Sequence, residues 1–397
     1  VLPLTSNEVR LLRYLVTDGP TQRAELARRL QVSRATASNL TRTLMAAGLV
    51  ETDPSDPDSG RPPVRVTASA GLLASIVIGH HETSVCVAGL DGRDTRSAVA
   101  APEPDAEARG RLLQAVALLK ELMPTSPSLQ AGEVASPLLC HVAVPTQCDA
   151  RTGRVFPSPA SQAWIGVNPL KITSQALGCP VVIQNTARLY GYTEHLDYTQ
   201  HHGHAPHSTC SVTLSQGAAM GYVANGRIMG GANGGSGELG HTIVVPGGRL
   251  CACGNHGCLM QYVSVPALEA ALREAGETED LATVLSLHEQ DLAPSTAQVL
   301  REAGHLAGLA LANLANLLDP GLMVIGGEVG SPDGLLAREL LETLERNTLP
   351  LVSTTMRVRQ AQASGDPVTV AAAAVDSLRH DSDTMTRLCA QLVEGSR

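Results

Sequence analysis

Aromatic side chains are scarce in this chain. One tryptophan, one phenylalanine and six tyrosines make up 2% of its 397 residues. Any core must therefore be built from Leu, Val, Ile and Ala, and the 43% hydrophobic content is enough for one. No apolar run reaches the ~18 residues that suggest a membrane span, so no membrane partner is expected. The opening residues, VLPLTSNEVRLLRYL, lack a basic leader, an apolar core and a small-residue cleavage site. They do not read as a signal peptide, and the expected compartment is the cytoplasm. A cationic excess is missing too: the net charge of −9 argues against a protein that coats nucleic acid along its whole surface. The length predicts two or three domains, at roughly 100–200 residues each.

The charge is uneven. Residues 1–50 hold seven arginines against Glu8, Asp18 and Glu25, which suggests a small basic module on a larger acidic one. Val9, Leu11, Leu12, Leu15 and Val16 predict a helix, ended by Asp18-Gly19-Pro20. Thr21 is expected to cap a second helix with Ala24, Leu26, Ala27 and Leu30 on its apolar face. After a tight turn, Ser33 is the expected N-cap of a third helix, with Ala37, Leu40 and Leu44 inside and Gly48 as the stop. Two short strands around the polar loop SDPDSGRPP complete a winged helix-turn-helix layout over residues 1–70. The exposed face of the third helix is expected to be Arg34, Thr36, Ser38, Asn39, Thr41 and Arg42, with no carboxylate to repel phosphate. Arg34, Thr36, Ser38 and Asn39 are expected near base edges. Arg42, Arg23 and the wing-tip Arg61 are expected at phosphates or in the minor groove.

From about Leu73, strand-like runs ending in Gly, Pro or Asn alternate with helical runs, which predicts an α/β module over 71–397. Histidines at 201, 202, 204 and 207 read as a solvated loop more readily than as a second metal site. Of the nine cysteines, Cys86, Cys140, Cys148, Cys179, Cys210 and Cys389 are scattered and expected as buried thiols. The other three cluster. His241, Cys251, Cys253 and Cys258 have the residue types and spacing to close a tetrahedron around one structural zinc, leaving no open coordination position. Gly254 and Gly257 let the backbone fold tightly around the ion.

The segment GELGH…CACGNHGC, with GYVANGRIMGGANG before it, LLDPGLMVIGGEVG after it and the winged helix in front, resembles the ROK family of repressors and sugar kinases. The resemblance covers nearly the whole chain. It implies a two-lobed, actin-like, sugar-kinase-like fold. It also implies that His241 faces a sugar, so that zinc would fix a wall of the pocket, and that Asn185 and Glu238 hold sugar hydroxyls. Several kinase parts are changed. The family's base is an Asp directly after an Asn; here the pair is Asn185-Thr186, and a threonine does not accept a proton at neutral pH. Val77 stands where the first phosphate turn has its metal-facing Asp, and Glu82 where that turn has a hydroxyl. The second turn reads Ser215-Gln216-Gly217-Ala218. Met260 replaces a family Glu that accepts a sugar hydroxyl, and Thr146 follows Pro145 where the family has Pro-Gly.

These residues lead first to a transcriptional repressor without catalytic activity. It would bind a pseudo-palindromic DNA operator as a homodimer or dimer of dimers and answer to a small sugar. A regulator whose effector pocket has decayed is a second reading, favoured by Met260 and Thr146. An active sugar kinase with a DNA-binding head is a third, against which Thr186 and Val77 speak.

Overall fold

The structure, a computed structural model, describes residues 6–53, 62–79, 81–101, 107–123, 136–156, 159–330 and 334–396. Helix α1 (Asn7–Asp18) starts under Ser6, whose hydroxyl accepts from the Val9 N–H, and buries the five apolar residues that predicted it. Gln22, not Thr21, stands at the N-cap of α2 (Arg23–Leu30), and no side chain caps that helix. Thr21 is drawn away because its backbone N–H and C=O both pair with Val64, a single bridge to β2 (Val64–Val66), which itself pairs with β1 (Val50–Thr52). Leu26, Ala27 and Leu30 form the apolar face of α2, whereas Ala24 is exposed. Ser33 caps α3 (Arg34–Ala46): its Oγ accepts from the Thr36 N–H at 3.0 Å. Gly48, with φ of 72°, turns the chain away after α3.

Two compact units divide the chain. Val1–Ala143, Pro169–Val182 and Ala371–Arg397 form one; Val144–Asn168 and Ile183–Val370 form the other. After the head, the first unit contains β3 (Leu72–Ile78), β4 (Thr83–Gly89), β5 (Arg96–Ala100) and α4 (Ala108–Leu122). Then follow β6 (Leu139–Val144), α5 (Pro169–Leu177) and β7 (Val181–Asn185), with the unit boundary falling inside β7. The sheet order is β5-β4-β3-β6-β7; β3 to β5 form an antiparallel meander, and β6 joins β3 in parallel. β3 and β4 are buried at nearly every position, so they lack the inside–outside alternation of a half-exposed strand.

The second unit repeats this plan. It begins with α6 (Thr186–His202), β8 (Ser208–Leu214), β9 (Ala218–Ala224) and β10 (Arg227–Ile228). It continues through α7 (Met260–Val263), α8 (Val265–Glu274), α9 (Leu281–Ser286), α10 (Pro294–Leu318), β11 (Leu322–Gly326), α11 (Leu335–Asn347), α12 (Pro350–Ser353) and β12 (Arg357–Gln360). The sheet order is β10-β9-β8-β11-β12, again an antiparallel meander extended by a parallel strand. α6 lies close on β9 because Gly191 and Gly221 face each other: a Cβ on Gly221 would come within 2.6 Å of the Ala187 carbonyl oxygen. That approach fixes the start of α6, where much of the site is assembled.

The expected histidine loop is helical at its start. α6 runs on through His202 and ends at the left-handed Gly203. His202 stacks on Tyr198 with ring centroids 3.9 Å apart, and His201 pairs with Asp197 one turn back. These contacts continue the helix, with His201 and His202 still exposed to solvent.

Returning to the first unit, α13 (Pro367–His380) passes into it at Ala371, and α14 (Ser382–Gly395) follows. α1 of the head packs on α14, with Arg13 donating to Ser382 Oγ at 2.7 Å and to Thr386 Oγ1 at 3.3 Å. Among the described residues, no helix is long and apolar enough to cross a membrane.

Candidate functional site

The four metal-type residues converge. Glu238 precedes a short 3₁₀ turn, Leu239–His241, that presents the histidine. The cysteines lie on a loop held by the Cys251 N–H to Asn255 C=O and Gly254 N–H to Cys251 C=O bonds, and by bridges Ile243–Cys258 and Leu250–His256. Gly257 is required: with φ of 80°, a Cβ there would sit 1.7 Å from the Val245 carbonyl oxygen. His241 Nδ1 lies 3.7 Å from Cys251 Sγ, and Cys253 Sγ lies 3.6 Å from Cys258 Sγ. Ligand atoms of all four residues fall within 4.8 Å of one another. A tetrahedron with metal–sulfur bonds of ~2.3 Å has sulfur–sulfur edges of about 3.8 Å, so donor set and dimensions both fit a closed metal site. The Asn255 backbone N–H pulls the exposed Cys253 thiol down to about 7, while burial pushes Cys258 up to about 12; a bound cation would draw both towards the thiolate. Of the nine cysteines, only Cys253 is exposed, and none is in a disulfide.

The start of α6 lies near the residues just before the His241 turn: a Cβ on Gly237 would be 3.9 Å from Arg188 Cγ. Asn185 is its N-cap: Oδ1 accepts from the Ala187 N–H at 2.9 Å, and Nδ2 donates to the Thr146 carbonyl at 3.3 Å. Both ends of its amide therefore have structural partners. Thr186, at the first helical position, is buried. Arg188, which residue spacing did not single out, is only 3% exposed. It donates to Gln184 Oε1 at 2.7 Å and to the Gly234 carbonyl, which joins α6 to the glycine-rich segment before Glu238. Burial pulls its pKa down, and the nearby Glu238 carboxylate pulls it up. Arg188 thus links the neighbourhoods of Asn185 and Glu238. Met260 lies against the Glu238–His241 turn: a Cβ on Gly240 would be 3.2 Å from its own Cβ.

Of the two turns compared with phosphate loops, the first is filled from within and the second faces a carboxylate from another segment. In the first unit, Val77 is buried in the sheet, paired with Ser84 and Ala143. The Gly79 N–H donates to the Glu82 carbonyl at 2.8 Å, and Arg111 Nη2 donates to the carbonyls of both residues. In the second unit, Ser215 Oγ donates to Glu328 Oε1 at 3.1 Å, placing a carboxylate at the turn. Negative charge there opposes a polyphosphate.

On α3, Arg34, Thr36, Asn39 and Arg42 are exposed and Ser38 is half-buried. Arg42 donates to Asn39 Oδ1 at 3.0 Å, and the Thr36 hydroxyl meets Ser33 Oγ at 2.8 Å. Thr41, expected on the exposed face, is buried instead, with its hydroxyl bonded to the Ala37 carbonyl one turn back. On α2, Glu25 binds Arg28 and Arg29, and those bonds hold its carboxyl down near 2. Arg23 is half-buried and, like Arg34 and Arg42, has no carboxylate partner among the described residues. Arg61 lies outside the described residues.

Comparison with known proteins agrees with this anatomy. The xylose repressor of Bacillus spizizenii is 25% identical over 331 residues, covering 81% of this chain and 82% of the relative. A glucokinase of Halalkalibacterium halodurans is 32% identical over 203 residues, which are 47% of this chain and 60% of that enzyme. Among solved structures, a ROK family transcriptional regulator homologous to the E. coli MLC protein superposes with a TM-score of 0.74 at 20% identity, over 98% of this chain and 99% of the other, a likeness of fold. Residues 2–61 match the MarR family and residues 73–375 the ROK family. The chain belongs to the ROK family and carries an N-terminal MarR-type winged helix-turn-helix.

Proposed function

We propose that this protein is a DNA-binding transcriptional regulator, with residues 1–70 as the DNA-reading head and 71–397 as a non-catalytic effector and oligomerisation module. The observation that carries the reading is the outward face of α3, where Arg34, Thr36 and Asn39 are exposed around a helix with no carboxylate. In this reading Arg34, Thr36, Ser38 and Asn39 approach base edges, while Arg23, Arg42 and Arg61 contact backbone or minor groove. Two copies place one head in each half of a pseudo-palindromic operator. The full-length likeness to the xylose repressor supports a regulatory role.

His241, Cys251, Cys253 and Cys258 hold one structural zinc, which stiffens the wall that carries Glu238. Asn185, Glu238 and His241 line the effector pocket, and Asn185 acts there chiefly by fixing the start of α6. Binding of a small polyol would change the balance between states of the module and so its affinity for DNA. Burial of Thr186 and Val77 and the carboxylate at Ser215 support absence of kinase activity.

The decisive experiment is selection of genomic DNA fragments by the purified protein, followed by footprinting with Arg34→Ala/Asn39→Ala. A discrete footprint lost in the variant is expected. Equal retention of all fragments, or an unchanged footprint, rules the head assignment out. ATP-dependent turnover of a sugar panel would overturn the non-catalytic part.

A further inference from the structure

We infer that the ligand of the effector pocket is an anionic sugar derivative, bearing a carboxylate or a phosphate ester, and that Arg188 is the group that selects it. This rests on the effector-binding reading above and names the ligand class for the same site.

Arg188 is a buried cation without a counter-ion in contact. Its two acceptors, Gln184 Oε1 and the Gly234 carbonyl, are neutral, and its Nε–H has no partner. Glu238 lies nearby but forms no ion pair with it among the described residues. A buried charge hydrogen-bonded only to neutral groups is costly, and its natural complement is an anion. A guanidinium matches carboxylate or phosphate oxygens with its planar fork. Charged hydrogen bonds are about twice as strong as neutral ones, so an incoming anion can displace the Gly234 carbonyl.

A second unpartnered donor sits beside the same helix start. Thr146 is 5% exposed and its Oγ1 has no partner, while its carbonyl is tied to the α6 cap residue Asn185. Arg188 lies in the first turn of this 17-residue helix and Thr146 is tied to its N-cap, and the helix dipole there also favours negative charge. Two neighbouring positions lack carboxylates that the family resemblance leads one to expect: Thr186 at the first helical position and Met260 against the Glu238–His241 turn. Each difference raises the local potential, as Arg188 does. Glu238 remains to accept hydroxyl protons, so a polyol bearing one anionic group fits the set better than a neutral hexose.

The test is calorimetry on the full-length, zinc-loaded protein without DNA. Its probes are D-glucose and D-xylose, D-glucuronate and D-gluconate, D-glucose 6-phosphate, and inorganic phosphate. At least one anionic sugar should bind tenfold or more tightly than its neutral counterpart, and the carboxylate and phosphate arms identify which anion is read. Arg188→Gln should lose that preference, and Arg188→Lys should recover part of it. A neutral sugar that binds as tightly as every anionic one overturns the inference. So does an absence of anionic binding at millimolar concentration, or inorganic phosphate that matches the sugar phosphate. If Arg188→Gln does not fold, the wild-type panel decides alone. DNA selection is measured separately, so failure of the regulator reading and failure of this ligand class are distinguishable.

Discussion

Arg379, near the end of α13, donates from Nε and Nη2 to the carbonyl oxygen of Val16 in the last turn of α1, at 3.1 and 2.7 Å. Its own carbonyl accepts from Thr17 Oγ1, and Asp376 holds its Nη1. One guanidinium thus satisfies a carbonyl at the end of the head's first helix, where helix carbonyls lack internal partners. The head is docked on α13 and α14 as well as joined through the chain.

Arg379→Ala removes these bonds and leaves the Val16 carbonyl without its charged donor. Hydrogen bonds to charged groups contribute about 1.5–3 kcal/mol, and Asp376 keeps His380 as a partner in the variant. We expect a stability loss of about 2 kcal/mol in denaturant unfolding, together with faster amide exchange across α1. Unchanged exchange in α1 would show that Arg379 does not fasten the head.

Ser33 separates folding from recognition. Its hydroxyl caps α3, and Ser33→Ala should cost about 1 kcal/mol. Ser33→Asp preserves a capping oxygen and suits the helix dipole, so thermal stability should stay near wild type. The added carboxylate lies at the start of the helix proposed to enter the groove, and phosphate should repel it. A tenfold or greater loss of operator affinity in a stable Ser33→Asp protein is expected. Equal affinity would place α3 away from DNA.

The metal cluster was legible in sequence because its ligands lie within one short stretch and their chemistry restricts spacing. The Ser33 cap was legible because capping is local. Arg188 was not: an arginine in a helix's first turn is unremarkable until folding brings Gly234 over it. Thr21 misled because a strand partner forty-three residues away competed for its backbone. The helical run at His201 and His202 was hidden because Tyr198 and Asp197 supply contacts that composition cannot report. β12 and α13 carried no motif, yet α13 positions the head through Arg379.

His141 on β6 predicts a specific acid response. It is 2% exposed, its Nδ1 lies 3.1 Å from the Ala374 carbonyl, and burial pushes its pKa down to about 4 from an ordinary value near 6.5. The folded state therefore binds fewer protons than the unfolded state between those values, and stability falls as pH drops. The loss begins near pH 6.5 and levels off below about 4. Its ceiling is about 3 kcal/mol at 1.36 kcal/mol per pH unit. Denaturant unfolding at stepped pH should show this slope, and a folded His141→Gln variant should lack it. An identical slope in that variant would assign the acid response to other groups.

Removal of the proposed zinc should act first on the proposed effector wall. Cys251 and Cys258 are fully buried, and although several backbone bonds brace the loop, four buried or clustered donors left without the proposed ion would loosen it. Cys251→Ser should abolish stoichiometric zinc and raise amide exchange around Glu238 and Met260, because the 3₁₀ turn carrying His241 loses its anchor. The head belongs to the other compact unit, with its own core, so exchange in α3 should be little changed. Elemental analysis with exchange mass spectrometry reads both effects. Retained protection around Glu238 in the metal-free protein would mean that the loop is ordered without its ion, and that the zinc does not stiffen the pocket.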